Sequence, residues 1–169
     1  MSDGARLEQA GPACALLWDL DNVTTSLKDL TQLAHALTRF VGPDSHRIAA
    51  AHRTNFRASR ALLAACGIEI LSGGRRASGA DRKLLFRARQ LHRQGVGRFV
   101  LVSNDGDFAP LAKLGDVHLV TTNTAYLSAK LVATAAGVSV LVREPIAGTP
   151  GVWTPSWRVE CAAPLHSDP

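Results

Sequence analysis

Short apolar runs without polar alternation recur along the chain, separated by segments whose apolar residues fall three or four positions apart. The first run is Ala13 to Trp18, Ala-Cys-Ala-Leu-Leu-Trp, leading into Asp19-Leu20-Asp21-Asn22. Ile48 to His52, Ile68 to Leu71, Phe99 to Val102, Val117 to Thr121 and Val138 to Val142 repeat the pattern. Runs of this kind mark strands buried on both faces, as in a parallel sheet. Between them, Leu27, Leu30, Leu33, Ala34, Leu37 and Val41 keep helical spacing until Gly42-Pro43 stops them, with Ser26 to Asp29 as a capping box. Asn55 to Cys66 predicts a second helix, closed by Gly67. A third opens between Ser78 and Asp81, keeps Leu84, Leu85, Ala88 and Leu91 on one face, and ends at Gly95. A short helix over Phe108 to Leu114 and a longer one from Ala125 to Ala136, closed by Gly137, complete the alternation.

Strands alternating with helices imply right-handed crossovers. The expected fold class is therefore α/β, a three-layer α/β/α domain with a mostly parallel central sheet, over residues 12–144. Residues 145–169 break the pattern: they hold five of the eight prolines and two of the three tryptophans, Trp153 and Trp157. Such a segment is not expected to be a helix. An arm packed on its own domain, a docking peptide for a protein partner or second copy, and a base-stacking element all fit it. The first is the commonest fate of such a tail.

A length of 169 residues with 46% apolar content suits one ordered domain with a full core. No apolar run approaches the span of a membrane helix, and Met1 to Gly11 lacks the layout of a secretion signal, so no membrane partner is expected. Cys14, Cys66 and Cys161 are far apart and without C-x-x-C spacing. They fit free thiols in a reducing, cytoplasmic setting and give no zinc signature. The net charge is +5, and 15 of the 19 basic residues are Arg. Guanidinium forks suit phosphate, so a polyanionic partner is expected, although base composition alone can also enrich Arg and Ala. Position is more informative than the total. Between Ser45 and Asn104 the only acids are Glu69 and Asp81, set among eleven arginines.

The acids outside that stretch complete the picture. Val100 to Phe108 reads V-L-V-S-N-D-G-D-F, placing Asp105 and Asp107 on either side of a glycine just after a strand. In an open α/β sheet the functional crevice lies at the carboxyl ends of the strands. Asp19, with Asp21, follows the first strand, and Asp81 opens the helix before the fourth. If strands one and four are neighbours, all converge at one edge. Each acid also has a local explanation. Asp81 fits a capping box with Ser78, Asp107 a cap with Asp105 holding a turn, and Asp21-Asn22 a turn. Three such coincidences at one edge are harder to assign to turn chemistry. Oxygen ligands without His or Cys suit Mg²⁺ or Mn²⁺, ions that activate water and neutralise charge on a phosphoryl group. The histidines (His35, His46, His52, His92, His118 and His166) show no paired metal spacing, and Ser103 has no His/Asp relay. The loop Ser72 to Gly79 is basic, but Ala80-Asp81 follows where a Walker phosphate loop needs Lys-Ser/Thr.

The blocks L-L-W-D-L-D-N, G-A-D-R-K-L and V-L-V-S-N-D-G-D-F-A-P-L, in that order, resemble the NYN branch of the PIN-like nucleases over roughly Ala13 to Val142. The resemblance implies a PIN-like α/β/α fold and divalent-metal-dependent cleavage of RNA. By motif, Asp19 and Asn22 correspond to the first-strand pair, Asp81 to the helix acid, and Asp105 and Asp107 to the pair after strand four. It further implies that Ser103 orients the metal site through its hydroxyl. On this reading Asp19, Asp105 and Asp107 ligate Mg²⁺ or Mn²⁺, and Asp81 ligates a second ion or positions the attacking water. Arg75, Arg76 and Arg82 grip the backbone of RNA, with single-stranded or looped RNA as the expected substrate. Two departures stand out. Asn104 replaces a frequent Gly, and Phe86, Arg87 and Ala88 occupy the region where many relatives carry a second helix acid. Fewer carboxylates imply one tightly held ion rather than two, and keep a catalytically silent RNA-binding or scaffold module as an alternative. W-D-L-D-N-V-T also resembles the nucleophile motif of haloacid-dehalogenase-type phosphatases, in which Asp19 would attack phosphate and Asp21 act as acid/base. That chemistry wants a lysine, and Lys83, on the basic helix, is poorly placed for it.

Overall fold

The computed structural model describes residues 13–145 and 155–161. Its strands are β1 (Ala13–Asp19), β2 (His46–Ala51), β3 (Glu69–Ser72), β4 (Val96–Val102), β5 (Asp116–Thr121), β6 (Gly137–Pro145) and β7 (Pro155–Cys161). They form one sheet in the order β3-β2-β1-β4-β5-β6-β7, in which only the β6–β7 pair is antiparallel. The helices α1 (Leu27–Val41), α2 (Arg53–Ala65), α3 (Gly79–Arg93) and α4 (Ala129–Val132) cover it. This is the expected α/β/α architecture with a mostly parallel sheet, and β1 and β4 are indeed neighbours.

Period-two alternation divides the core. Leu16 and Trp18 of β1, Ala49 and Ala51 of β2, and Val100 and Val102 of β4 pack with Leu30, Leu33 and Leu37 of α1 and Leu63 of α2. Ala15 and Leu17, Ile48 and Ala50, and Phe99 and Leu101 point the other way, onto Leu84, Ala88 and Leu91 of α3 and onto Phe108, Leu111 and Leu131. Each fully buried Leu or Phe contributes roughly 1.5–3 kcal/mol, so two such faces can carry several destabilising buried acids. The Trp18 indole is satisfied by donating to Val23 O at 2.7 Å.

Several local expectations are corrected. The long helix over Ala125 to Ala136 does not form; a 3₁₀ turn, Thr124–Tyr126, and the one-turn α4 replace it. Tertiary hydrogen bonds outcompete propensity there. Ser128 N–H donates to Asn104 O at 3.1 Å, and Ala136 N–H to Val117 O at 2.8 Å. Gly137 accordingly starts β6 rather than capping a helix, and a Cβ there would meet His118 Nδ1 at 2.8 Å. The helix after Asp105 is 3₁₀, Gly106–Lys113. Neither Ser26 nor Ser78 makes a side-chain cap bond, so both capping boxes are absent. Asp29 instead accepts from Arg143 at 2.8 Å, tying α1 to β6. In the segment beyond residue 145, β7 extends the sheet and Trp157 is buried against the α1 face, while Trp153 lies outside the described residues.

Candidate active site

The alternation that builds the core also aims the acids. Asp19 continues the Ala15, Leu17 series of β1, and Ser103 continues the Phe99, Leu101 series of β4, so both project toward α3. Trp18 pairs with Val102 in the parallel register, which sets Asp19 beside Ser103, and the Ser103 hydroxyl donates to Asp19 Oδ2 at 3.1 Å. Asp81 lies three residues before Leu84 and seven before Ala88, on the sheet-facing stripe of α3. Ser78 is in the left-handed conformation at φ 59° and leaves Asp81 uncapped, which removes the local explanation of that acid.

Asp105 ends the β4 turn and caps the 3₁₀ helix, its Oδ1 accepting from Asp107 N–H at 2.9 Å. Its own N–H donates to Ser103 Oγ at 3.2 Å. Thus the hydroxyl of Ser103 joins the two acid-bearing strand ends. Asn22 ties the same ends through the backbone, with its Oδ1 accepting from Asn104 N–H at 2.8 Å. Asn104 is tolerated where a glycine was expected because its side chain accepts from Thr121 Oγ1 at 2.5 Å, bracing β4 against β5.

Asp81, Asp105 and Asp107 each present a carboxylate oxygen within 4.8 Å of the others. Asp19, 3% exposed, lies outside that trio yet lines the same depression of about 250 Å³ with Asp81 and Asp105. Burial, and then the charge of Asp81, push the Asp19 carboxyl from 3.8 up to about 7, against the opposing pull of the Ser103 hydrogen bond. Asp81 is also raised, by burial first and then by Asp105 and Asp107. Among the described residues none of these four acids forms an ion pair. Three convergent carboxylates with no cationic partner are a donor set that fits one hard divalent ion.

The remaining sequence candidates separate. Arg76 lines the carboxylate depression, Arg75 lines a neighbouring one, and Arg82 is exposed and lines neither. Asp21 also lines the carboxylate depression, but its two oxygens are taken by the β2–α2 junction: it accepts from His52 N–H and from Asn55 Nδ2, both at 2.6 Å. Phe86 is exposed, Arg87 pairs with Glu69 at 3.1 Å and Ala88 is buried, so no further acid reaches the site from that turn of α3. His52, to which sequence spacing gives no role, follows β2 at the edge where Asp19 ends β1, and it lines both depressions.

Glycines close the loop that carries Arg75 and Arg76. A Cβ on Gly79 would stand 1.9 Å from Gly73 O, and one on Gly73 would stand 2.4 Å from Ala80 N. Gly79→Ala must therefore spread the loop and displace the first turn of α3, where Asp81 sits. The expected loss is about 1–3 kcal/mol of stability, read as a lower melting temperature, together with reduced divalent-ion binding. A variant melting and binding ions as the wild type does would contradict this account of the loop.

The family model described as NYN domain matches residues 13–135, a span that contains every acid of the site. A crystal structure of a protein of unknown function from Vibrio parahaemolyticus is similar, with a TM-score of 0.55 and 21% identity over 75% of this chain and 91% of that one. That likeness supports the fold alone. No curated protein matches the chain at a significant level.

Proposed function

The chain belongs to the NYN domain family of PIN-like nucleases, and from that membership we propose that it is a ribonuclease dependent on Mg²⁺ or Mn²⁺, hydrolysing phosphodiester bonds of single-stranded or looped RNA. One observation carries the reading: side chains from β1, α3 and the turn after β4 bring unpaired acids together at the carboxyl edge of the sheet. Asp81, Asp105 and Asp107 would hold the ion, and Asp19, which lines the same depression, would add a further carboxylate. When bound, such an ion activates water and offsets charge on the phosphoryl group. In the hydrolysis, water oxygen bonds to phosphorus, a carboxylate of the cluster takes the water's proton, and the bond to the leaving ribose oxygen breaks as that oxygen gains a proton from solvent. Ser103 and Asn22 act as positioning residues, since each fastens the β1 end to the β4 end. Arg76, exposed on the rim, supplies a cation for the RNA backbone, and Arg75 and Arg82 extend that charge along the surface.

The phosphatase alternative needs Asp21 as a mobile acid/base, and both of its carboxylate oxygens are occupied by the β2–α2 junction. A silent module remains the competing reading because, among the described residues, only three acids converge tightly. Incubation of labelled single-stranded RNA with the protein distinguishes them. Cleavage is expected with Mn²⁺ or Mg²⁺, is expected to cease in EDTA, and returns on adding either ion in excess. Cleavage indifferent to EDTA would refute the metal assignment; no cleavage with RNA still bound would favour the module. Among the described residues no helix is long and apolar enough to cross a membrane.

A further inference from the structure

We propose that a second depression, at the mouth between β2 and α2, is a phosphate subsite in which Arg53, Arg57 and Arg75 grip a substrate phosphate next to the one being cut. The proposal rests on the ribonuclease reading and adds a binding site to it. The depression measures about 610 Å³ and is lined by His52, Arg53, Thr54, Arg57, Ala58 and Arg75. No acid is among them. His52 lines the carboxylate depression as well, so the two adjoin across one side chain.

The cations are gathered by the fold. Arg53 and Arg57 stand four residues apart on α2 and share a face. Arg75 arrives on the glycine loop, which is fastened here by Arg53 N–H donating to Gly74 O at 2.9 Å and Gly73 N–H to Ala51 O at 2.8 Å. Among the described residues none of the three guanidinium groups forms an ion pair. The first turn of α2 itself carries no acid, and the carboxylate nearest its start, Asp21, is already engaged by His52 N–H and Asn55 Nδ2. His52 Nδ1 accepts from Thr54 N–H at 3.4 Å, which assigns the proton of a neutral ring to Nε2 and leaves that atom a donor.

Like charges collected around a concavity repel one another and concentrate positive potential in it. An anion relieves both effects, and phosphate matches the guanidinium fork better than a single carboxylate oxygen can. A depression of this size also admits a whole nucleotide. The phosphate has two sources with the same chemistry: the monophosphate at an RNA end, or an internal phosphodiester one step from the scissile bond.

The test is fluorescence anisotropy in EDTA, with 3′-labelled single-stranded RNA of about 12 nucleotides. The RNA carries a 5′-phosphate, a 5′-hydroxyl, or a 5′-hydroxyl with internal methylphosphonates. Arg53→Gln/Arg57→Gln is compared with Arg39→Gln/Arg93→Gln, which removes the same charge from the last turns of α1 and α3, at the far edge of the sheet. Circular dichroism confirms that both are folded. The first variant is expected to bind about tenfold more weakly, and its slope of log affinity against log salt to fall by about 0.7, as the loss of one neutralised phosphate requires. The control should lose much less. A 5′-phosphate preference that vanishes in the first variant assigns the terminal source. Equal affinity for both ends, with the arginine effect lost on methylphosphonate RNA, assigns the internal one. Equal losses in the two variants, or wild-type affinity in the first, would overturn the subsite while leaving the ribonuclease reading intact. RNA that fails to bind the wild type would overturn both.

Discussion

Asp105→Asn is expected to abolish divalent-dependent RNA cleavage while leaving the protein folded. The substitution is nearly isosteric, and an amide Oδ1 can still accept from Asp107 N–H, so the cap on the 3₁₀ helix survives. What disappears is one negative charge from the trio formed with Asp81 and Asp107. Removing a partner outside a ligand set typically lowers metal affinity or activity by about 10–100-fold, and removing a ligand should exceed that, so a loss of at least about a hundredfold is expected. Asp105 is the largest charge contribution to the raised carboxyl of Asp81, so the variant also relieves that acid. Its melting temperature in EDTA should match or slightly exceed that of the wild type, whereas stabilisation by Mn²⁺ should largely vanish. Lost cleavage with an unchanged fold separates a chemical role from a structural one. Equal activity in the two proteins would remove the central acid from the site.

The divide between what was legible in the chain and what was not follows the range of the interactions. Unalternated apolar runs and the glycines that end helices are local signals. They located β1 to β6 and the helices α1 to α3, and the order of the acid-bearing turns placed Asp19, Asp81 and Asp105 near one another. The details that failed depend on distant partners. Nothing near Ala125 announces that Ser128 will bond to Asn104 or Ala136 to Val117, so a good helical stretch was broken by contacts outside it. Ser78 and Asp81 have capping-box spacing, yet the approach of Gly79 to Gly73 forces Ser78 into the left-handed region and ends that role. The same closure makes Asp81 available to the site. His52 is illegible in the sequence for a related reason. It is a lone histidine with no metal spacing, and its position becomes meaningful only once the loop after β3 folds back onto β2.

The burial of acids in this cluster should also be visible without RNA. The Asp19 carboxyl is raised to about 7 in the folded chain from an ordinary 3.8, so ionisation is harder in the folded state than in the unfolded one. Stability from this group is therefore fully present below pH 3.8 and is withdrawn as pH climbs, the loss being complete above about pH 7. The shift corresponds to about 4 kcal/mol at most, or several degrees of melting temperature for a chain of this size. Asp19→Asn cannot ionise and keeps an oxygen for the Ser103 hydroxyl. In EDTA at pH 8 it should melt several degrees above the wild type, and the gap should narrow at pH 5. Divalent ions act in the opposite sense on the wild type. They favour the ionised carboxylates, so Mn²⁺ must displace protons at pH 5 and far fewer at pH 8, and its stabilisation should grow across that interval. The same ion should do little for Asp19→Asn at either pH, and the variant should cleave RNA poorly. A residue that weakens the resting protein and is retained for its charge has this signature. If Asp19→Asn proved no more stable than the wild type at pH 8, the burden of the acid cluster would lie elsewhere, and Asp19 would be a strand-end residue satisfied by Ser103 alone.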